Sequence, residues 1–334
     1  MQAYILKSNS GTRFRFGEAL GAYTEETHNA QKTTSEYLHS DTLWSALVNA
    51  WAFKCPDSLD AFLSACRDGI FKLSSAFYFV EYKCNNVFFL PKPASLNLFK
   101  FDEPKKLKRI KFISKGVLES GLLPEDWFHA EKCTLLQNEN IVALKSEIDI
   151  PIKIFSVETN PKVRARDIND REDSFYYETD LFLLSGDNFK VDWYFLIENK
   201  LPDNLQNDFK EAMQTLVNLG IGGERSSGCG SLTELEIRSW KLEISDNKSW
   251  TSVSLIAPNE DELTETSLYQ ISKRGGRFIE KGKSLPMIQM LLEGTVFDTD
   301  VKGRIVKLND NPPILRYGLN LAIPLHNNFI TKEL

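Results

Sequence analysis

Residues 220–230 read GIGGERSSGCG and place five glycines, two serines and one arginine in eleven positions. They follow LQNDFKEAMQTLVNL, whose apolar residues recur with helical spacing, and they precede TELEIRSWKLEI, which alternates like a strand. The sequence therefore predicts a helix over 205–219, a glycine-rich loop and a strand over 233–244. One glycine is enough to end a helix, so five of them predict a loop that a ligand approaches closely.

The residues of this loop suit an anionic ligand. A helix C-terminus carries partial negative charge, so other groups must reverse that sign before phosphate can bind. Glycines let successive amides converge on an anion, and Arg225, Ser226 and Ser227 add a guanidinium and two hydroxyls. Neither nucleotide-binding pattern fits, because no Lys-Ser or Lys-Thr follows and Arg225 occupies the third glycine position of the Rossmann motif. We therefore expect a phosphate backbone rather than a nucleotide cofactor.

The other elements follow a regular order. The edge strand of a sheet is predicted at QAYILK. A buried helix with Ser40 as its N-cap is predicted at SDTLWSALVNAWAF. A hairpin that turns at Asn85-Asn86 is predicted at SSAFYFVEY and NVFFLPKP. IPIKIFSV and FYYETDLFLL predict strands around a polar excursion, and KVDWYFLIE predicts another strand. Strand, helix, hairpin, strand, helix, strand is the order of a ferredoxin-like unit. We predict an α+β fold with two ferredoxin-like (RRM-like) domains, 1–244 with a β-hairpin insertion at about 158–178, and a smaller one over 245–334.

Composition narrows the possible functions. The five cysteines contain no C-x-x-C pair, which favours reduced thiols over zinc or disulfides, and no signal peptide or membrane span is visible, so we expect a cytoplasmic protein. A net charge of −6 argues against general coating of nucleic acid but allows a local basic groove. The basic segment between Lys100 and Lys115 is most simply interpreted as a solvated face.

Four stretches together resemble one known family. GIGGERSSGCG is similar to the glycine-rich loop of the RAMP proteins of CRISPR systems. The other three stretches resemble, in family order, elements of subunit four of the type III-A (Csm) effector complexes. They are RFRFGEAL with HSDTLWSALVNAW, then TNPKVRARDINDREDSFYYETDLFLL, then PPILRYGLNLAIPL. The resemblance runs from Arg13 to Leu325 and implies a non-catalytic RNA-binding subunit in antiviral defence. Such a subunit holds the repeat-derived 5′ handle of the guide RNA (crRNA), docks on the polymerase-like large subunit and on a backbone RAMP subunit, and meets target RNA indirectly. We expect no enzyme activity, no cofactor and no metal.

The resemblance also implies which residues face RNA. They lie in the glycine loop, before and at the start of the first helix and in the β-hairpin thumb: Gly220, Gly222, Gly223, Arg225, Ser226, Ser227, Gly228, Gly230, Arg13, Arg15, Gly17, Ser40, Lys162, Arg164, Arg166 and Arg171. Arg274 is a further candidate because it lies in a basic loop around Gly275-Gly276. Lys162, Arg164 and Arg166 alternate, so an extended arm would present one cationic face. Neighbouring acidic residues equally allow a solvated hairpin. Arg316 and Tyr317 could contact RNA or complete the second domain.

Two other functions remain open. His28 and His39 lie near the first helix, where a related family of guide-processing endoribonucleases keeps a catalytic histidine, and either could act as acid or base. The first alternative is therefore a metal-independent guide-RNA-processing endoribonuclease. The second is a small-nucleotide-binding protein that uses the glycine loop, against which the missing Walker lysine counts.

Overall fold

A computed structural model describes residues 1–17, 34–164, 174–244, 247–264, 266–275, 285–310 and 313–330. Its α-helices are α1 Ser40–Lys54, α2 Leu59–Arg67, α3 Pro104–Arg109, α4 Lys115–Ser120, α5 Pro124–Trp127 and α6 Asp203–Leu219. Its strands are β1 Gln2–Lys7, β2 Arg13–Phe14, β3 Phe71–Leu73, β4 Phe77–Tyr82, β5 Asn85–Pro91, β6 Phe112–Ser114, β7 Cys133–Leu136, β8 Ile141–Leu144, β9 Phe155–Arg164, β10 Ser174–Leu183, β11 Ser185–Gly186, β12 Phe189–Asn199, β13 Glu234–Ser239, β14 Ser249–Ser252, β15 Thr266–Leu268, β16 Ile271–Arg274, β17 Ile288–Leu291, β18 Val296–Phe297, β19 Val306–Asp310, β20 Pro313–Arg316 and β21 Ala322–Leu325. Within these ranges, no helix combines the length and apolarity needed to cross a membrane.

The largest sheet has the strand order β13-β1-β12-β4-β5-β6-β8-β7. The helix predicted over 205–219 is confirmed as α6, and its Phe209 ring packs against Tyr4 of β1 at 6.0 Å between centroids. The strand predicted over 233–244 forms over Glu234–Ser239 and pairs with β1. The prediction of β1 as an edge strand is wrong. It lies between β12 and β13. Four consecutive residues, from Ala3 to Leu6, are buried instead of alternating, so both faces of the strand are covered.

The β4–β5 hairpin forms as predicted but turns two residues earlier. Lys83 and Cys84 make the turn, and Lys83 takes a left-handed conformation with φ of 52°. Asn85 is already in β5, opposite Tyr82. Its side-chain amide donates to the carbonyls of Ser146 and Glu147 at 3.0 and 2.9 Å, which explains a turn-forming residue within a strand.

A second sheet has the order β2-β10-β9. The strand predicted at FYYETDLFLL is confirmed as β10. The strand predicted at IPIKIFSV begins only at Phe155 and continues to Arg164, within the segment predicted as a polar excursion. The two strands pair from Phe155 with Leu183 to Arg164 with Ser174. The base of this hairpin is anchored by the buried side chain of Gln137. Its oxygen accepts the N–H groups of Ile154 and Phe155 at 2.9 and 3.2 Å, and its amide donates to the Phe155 carbonyl at 2.9 Å.

The part of the chain after residue 244 is built from strands. They form a sheet of order β15-β18-β14-β21 and the hairpins β16–β17 and β19–β20. The described residues of this part contain 3-10 helices at Asp261–Thr264 and Asn327–Phe329 but no α-helix, so they lack the strand–helix order expected of a second ferredoxin-like domain.

Both parts of the chain share one hydrophobic core. Residues from the later strands, including Val253, Leu321 and Ile323, belong to the same buried cluster as the large sheet and α1. The Tyr317 ring stacks on Trp44 of α1 at 5.6 Å, and its hydroxyl accepts the N–H of Leu73 at 2.9 Å. Tyr317 therefore completes the core between the two parts.

Candidate nucleic-acid interface

The glycine loop follows α6 directly, as its C-cap is Gly220. Gly220, Gly222, Gly228 and Gly230 have φ between 70° and 85°, a range that favours glycine. At three of them, all except Gly228, an added Cβ would lie 1.8 to 2.6 Å from a backbone oxygen of the protein itself. Backbone therefore does approach these glycines closely, as predicted for a ligand, but the approaching backbone belongs to the protein itself.

The loop is hydrogen-bonded along β2. Gly223 N–H donates to the carbonyl of Arg15 at 2.8 Å, and Gly230 N–H donates to the carbonyl of Arg13 at 2.7 Å. Gly228 N–H donates to the Arg225 carbonyl at 3.0 Å. Because β2 also pairs with β10, the loop, β2 and the hairpin base adjoin. The interpretation of these three amides as an anion-binding nest is corrected: their N–H groups already have carbonyl partners.

The outer part of the loop, residues 223–228, faces solvent and is called the exposed turn below. Its Arg225, Ser226 and Ser227 form one turn of 3-10 helix with exposed side chains. Arg13 of β2 reaches this turn, and its Nη2 donates to the Ser227 carbonyl at 2.9 Å while 36% of its side chain stays exposed. Glu224 lies in the same turn and carries the opposite charge. Two guanidinium groups, from Arg13 and Arg225, thus flank a hydroxyl-bearing turn.

Arg15 is buried, which corrects its prediction as an RNA contact. Its Nη1 lies 3.0 Å from Glu178 Oε1, and its Nε donates to Asp180 Oδ1 at 3.0 Å. Burial alone would lower the pKa of Arg15, but the two carboxylates of β10 raise it overall. Arg15 therefore fastens β2 to the hairpin from within the protein.

Arg274 and Ser40 are also buried and have internal roles. Arg274 donates from Nε and Nη2 to the two carboxylate oxygens of Asp41, at 3.0 and 2.8 Å, and Arg316 Nη1 lies 2.5 Å from Asp41 Oδ2. Burial raises the pKa of Asp41, but the two guanidinium groups outweigh it and lower the pKa to about 2. This triad joins the first turn of α1 to β16 and β20, so the prediction of Arg274 as an RNA contact is corrected.

Ser40 is the first residue of α1 rather than its N-cap, a position occupied by His39. The Ser40 hydroxyl accepts the N–H of Leu255 at 3.0 Å, and its own N–H donates to Ser75 Oγ at 2.8 Å. The predicted capping and RNA-contacting roles are therefore both corrected, because the hydroxyl instead satisfies a backbone amide of the later part of the chain.

His39 lies in a second buried polar cluster. Its Nδ1 is 2.9 Å from Glu293 Oε1, and Tyr37 donates its hydroxyl to Glu293 Oε2 at 2.9 Å. Burial favours the neutral form of Glu293, but His39 and Ser75 lower its pKa overall. His28 lies outside the described residues. Across the ranges that the structure covers, no group of three His, Cys, Asp or Glu side chains is arranged to hold a metal ion.

Of the other predicted residues, some lie within the described ranges and some outside them. Gly17 is exposed just after β2 and bridges to Thr34, and Lys162 is half-buried on β9 opposite Tyr176. Arg164 ends β9, whereas Arg166 and Arg171 lie outside the described residues. The structure thus brings the glycine loop, Arg13 and the hairpin base onto adjoining elements.

Sequence reasoning missed Glu178 and Asp180, the carboxylates that neutralise Arg15. The signal was present, because FYYETDLFLL carries two acidic residues at alternating positions within an otherwise aromatic and apolar strand. Two carboxylates on one face of a buried strand require cationic partners. The alternating arginines of RFRF were the available candidates.

The later part of the chain matches a known family. Residues 245–325 match the family model of the CRISPR Csm4 C-terminal domain. Over these residues the chain is similar to that domain family. The resemblance to subunit four of type III-A complexes, predicted from four motifs, agrees with this match over residues 245–325. No curated protein matches the chain.

Solved structures share the fold over nearly the whole length. One similar chain belongs to the crystal structure of the Csm3-Csm4 subcomplex in the type III-A CRISPR-Cas interference complex, with a TM-score of 0.70 and 20% identity, covering 98% of this chain and 100% of that chain. Another belongs to the Csm1-Csm4 cassette in complex with pppApA, with a TM-score of 0.60 and 16% identity, covering 99% of this chain and 98% of that chain. A third, from the same cassette with cA4, has a TM-score of 0.60 and 16% identity, with 98% of both chains covered.

Proposed function

We propose that this chain is the non-catalytic, RNA-binding Csm4-type subunit of a type III-A CRISPR interference complex. In this proposal it holds the 5′ repeat handle of the guide RNA and bridges the polymerase-like large subunit to a backbone RAMP subunit. The family match of residues 245–325 supports this role. So do the similar chains, which come from a Csm3-Csm4 subcomplex and from Csm1-Csm4 cassettes.

We further propose that residues 1–244 form a ferredoxin-like domain with the β9–β10 hairpin as its thumb, and that 245–334 form a smaller second domain. In support, six elements follow the ferredoxin-like order along the chain: β1, α1, β4, β12, α6 and β13. In the sheet, their strands are arranged β13-β1-β12-β4. Each strand of this set is antiparallel to its neighbour. The matched family domain begins at residue 245, where the second domain is proposed to start.

The observation that carries the RNA-binding role is the exposed turn beside the hairpin base. Arg225 is exposed, and Arg13 is partly exposed with its guanidinium on the Ser227 carbonyl. Guanidinium forks and hydroxyls are suited to phosphate oxygens, and contacts of this kind fix a strand without reading its sequence. A guide strand held at the turn would run directly toward the thumb.

The test is the affinity for handle RNA of the full-length protein and its Arg225→Ala variant at several salt concentrations. Losing one phosphate contact to a single strand should lower the salt slope by about 0.7 and weaken different RNA sequences equally. Lys210→Ala is the matched control, since Lys210 is exposed on α6, away from the turn. Thermal stability should stay unchanged, because Arg225 is an exposed side chain. Wild-type affinity and slope for both Arg225→Ala and Arg13→Ala would refute RNA binding at the turn.

The assembly role has its own test. The chain is co-expressed with the large subunit, a backbone subunit and guide RNA, and the mixture is separated by size. We expect all components in one peak. Separate elution of either protein partner in the presence of guide RNA would refute the bridging role, whatever the RNA affinity of the isolated chain.

The absence of catalysis is tested by incubating the protein with repeat RNA in EDTA. His39 is held by Glu293 in a buried cluster, so we expect the RNA to stay intact. Discrete cleavage that disappears in His28→Ala or His39→Ala would instead identify a metal-independent endoribonuclease.

A further inference from the structure

A groove of about 1120 Å³ lies between the earlier and later parts of the chain. One wall carries residues 34–39, the end of α3 and Val157 of β9, and the other carries residues of β16 and β17. Its volume lies near the upper end of the roughly 300–1,000 Å³ of small-molecule pockets, so it has room for a ligand of several groups.

Lysines line both walls of this groove. Lys92 and Lys108 come from the earlier part of the chain, and Lys273 comes from β16. In the part of the chain that the structure describes, none of these three has a carboxylate within 4 Å. Two carboxylates line the groove. Glu36 is neutralised by Lys111 at 2.8 Å, and Glu293 is hydrogen-bonded to Tyr37 and His39, so among the described residues three lysines face one carboxylate that lacks a lysine or arginine partner. The groove is therefore electropositive, in a protein with a net charge of −6.

Lys92 is the most unusual of the three lysines. Only 9% of the residue is exposed, and its Nζ donates to the Leu107 carbonyl at 2.6 Å. Burial without a nearby opposite charge lowers its pKa to about 8. A buried ammonium group that lacks a counter-charge is costly, and an anion in the groove would supply one.

Uncharged groups of the groove add a second kind of recognition. Three side-chain amides line it, from Asn97, Gln270 and Gln289, and three exposed apolar side chains lie among them, from Val157, Ile271 and Met287. Unpaired nucleotides offer phosphates, base edges and flat apolar faces together. Amides and apolar side chains beside lysines match these three features.

The groove and the exposed turn border the same segments. Ser35 at the edge of the groove donates its N–H to the carbonyl of Phe16 at 2.8 Å, and Phe16 follows β2, along which the glycine loop lies. On another side, β9 carries Val157 in the groove and Lys162 on the hairpin arm. This continuity favours a nucleic-acid strand over an acidic peptide as the occupant.

We propose that the groove binds a single-stranded segment of the same RNA that the exposed turn contacts, with its phosphates near Lys92, Lys108 and Lys273. The proposal rests on the proposed function, because it extends the path of the guide strand beyond the turn. It also gives a role to the basic segment between Lys100 and Lys115, which the exposed turn does not involve.

The experiment measures binding of a single-stranded oligoribonucleotide with the guide's 5′ repeat sequence to the full-length Lys108→Ala/Lys273→Ala variant. Both lysines are exposed, so the fold should be unaffected. Losing two phosphate contacts should lower the salt slope by about 1.4 and weaken binding on the order of tenfold at 0.1 M salt. Lys210→Ala should bind as wild type. Shortening the RNA from one end should abolish the effect of the lysine variant and preserve that of Arg225→Ala.

Two outcomes would overturn the inference. If the double lysine variant keeps the wild-type slope and affinity while Arg225→Ala loses both, the groove does not hold RNA, although the proposed function stands. If polyglutamate of equal charge displaces the RNA from the wild type as effectively as unlabelled RNA does, the groove is an acidic-peptide site. Wild-type behaviour of both sets of variants would instead refute the proposed function itself.

Discussion

Replacing Asp41 by Asn should destabilise the protein by several kcal/mol, because Asp41 is the carboxylate between two guanidinium groups. Its pKa falls from an ordinary 3.8 to about 2, which corresponds to about 2 kcal/mol of stability at neutral pH. The amide would also leave Arg274 and Arg316 without a counter-charge at buried or half-buried positions. Breaking a buried ion pair from one side costs about 3–5 kcal/mol. We expect a loss of that size at pH 7.

The pH dependence gives this prediction its sign. A carboxyl group whose pKa is depressed by folding stabilises the protein above its unfolded pKa, and that contribution is lost as the pH falls from about 4 toward 2. About 1 kcal/mol should already be lost at pH 3. The difference in stability between wild type and Asp41→Asn should therefore narrow at low pH.

The assay is urea denaturation of wild type, Asp41→Asn and the exposed-site control Asp68→Asn at pH 7 and pH 3. A stability of Asp41→Asn equal to that of the control at pH 7, or a difference that does not change with pH, would refute the reasoning. Arg274→Ala should behave like Asp41→Asn and lower stability. If Arg274 instead contacted RNA, its replacement would change the salt slope of binding and leave stability intact.

Three further changes test other features by denaturation. Lys92→Met should be more stable than wild type at pH 7 by up to about 3 kcal/mol, because folding lowers the pKa of Lys92 to about 8. Between pH 8 and pH 10 only the unfolded wild-type chain keeps this proton, so wild type should gain stability over that range and the variant should not. Gly222→Ala should cost about 1–3 kcal/mol, since its φ is +85° and its Cβ would lie 2.6 Å from the Arg15 carbonyl oxygen, whereas Gly223→Ala should be neutral within about 0.5 kcal/mol. Gln137→Leu should cost at least about 2 kcal/mol and speed hydrogen exchange at Phe155, since buried backbone groups lose their partners. An unshifted stability of Lys92→Met, Gly222→Ala or Gln137→Leu would contradict the contact concerned.

The parts of the fold that the sequence predicted are those with a local signal. The stripe of apolar residues in α6 and the aromatic strand β10 depend on neighbours a few residues away, so spacing alone reveals them. The glycine loop was located by the same local reasoning. The choice between edge and interior for β1 depends on β12 and β13, which follow far along the chain, and no local pattern contains it.

The site residues that were misassigned have distant partners. Arg15 binds a carboxylate 165 positions away, Arg274 binds one 233 positions away, and the Ser40 hydroxyl accepts an amide 215 positions away. An arginine in a basic motif has the same local sequence whether it faces a phosphate or a buried aspartate. Only the three-dimensional pairing separates the two cases. Arg13 lies 3.9 Å from Asp180 but keeps 36% of its side chain exposed, and Arg225 is exposed. These two therefore remain candidates for RNA contact, whereas the buried Arg15 and Arg274 do not.

The core shared by the two parts of the chain has a consequence for synthesis on the ribosome. Trp44 and the first turn of α1 are covered by Tyr317, Leu255 and Arg316, which are made last. Residues 245–325 add 81 positions, which at roughly 5–20 residues per second take about 4–16 s. Throughout that interval the nascent chain presents an aromatic surface and an unpaired Asp41. We therefore expect the nascent chain to stay sensitive to protease until Leu255, Arg316 and Tyr317 have been made.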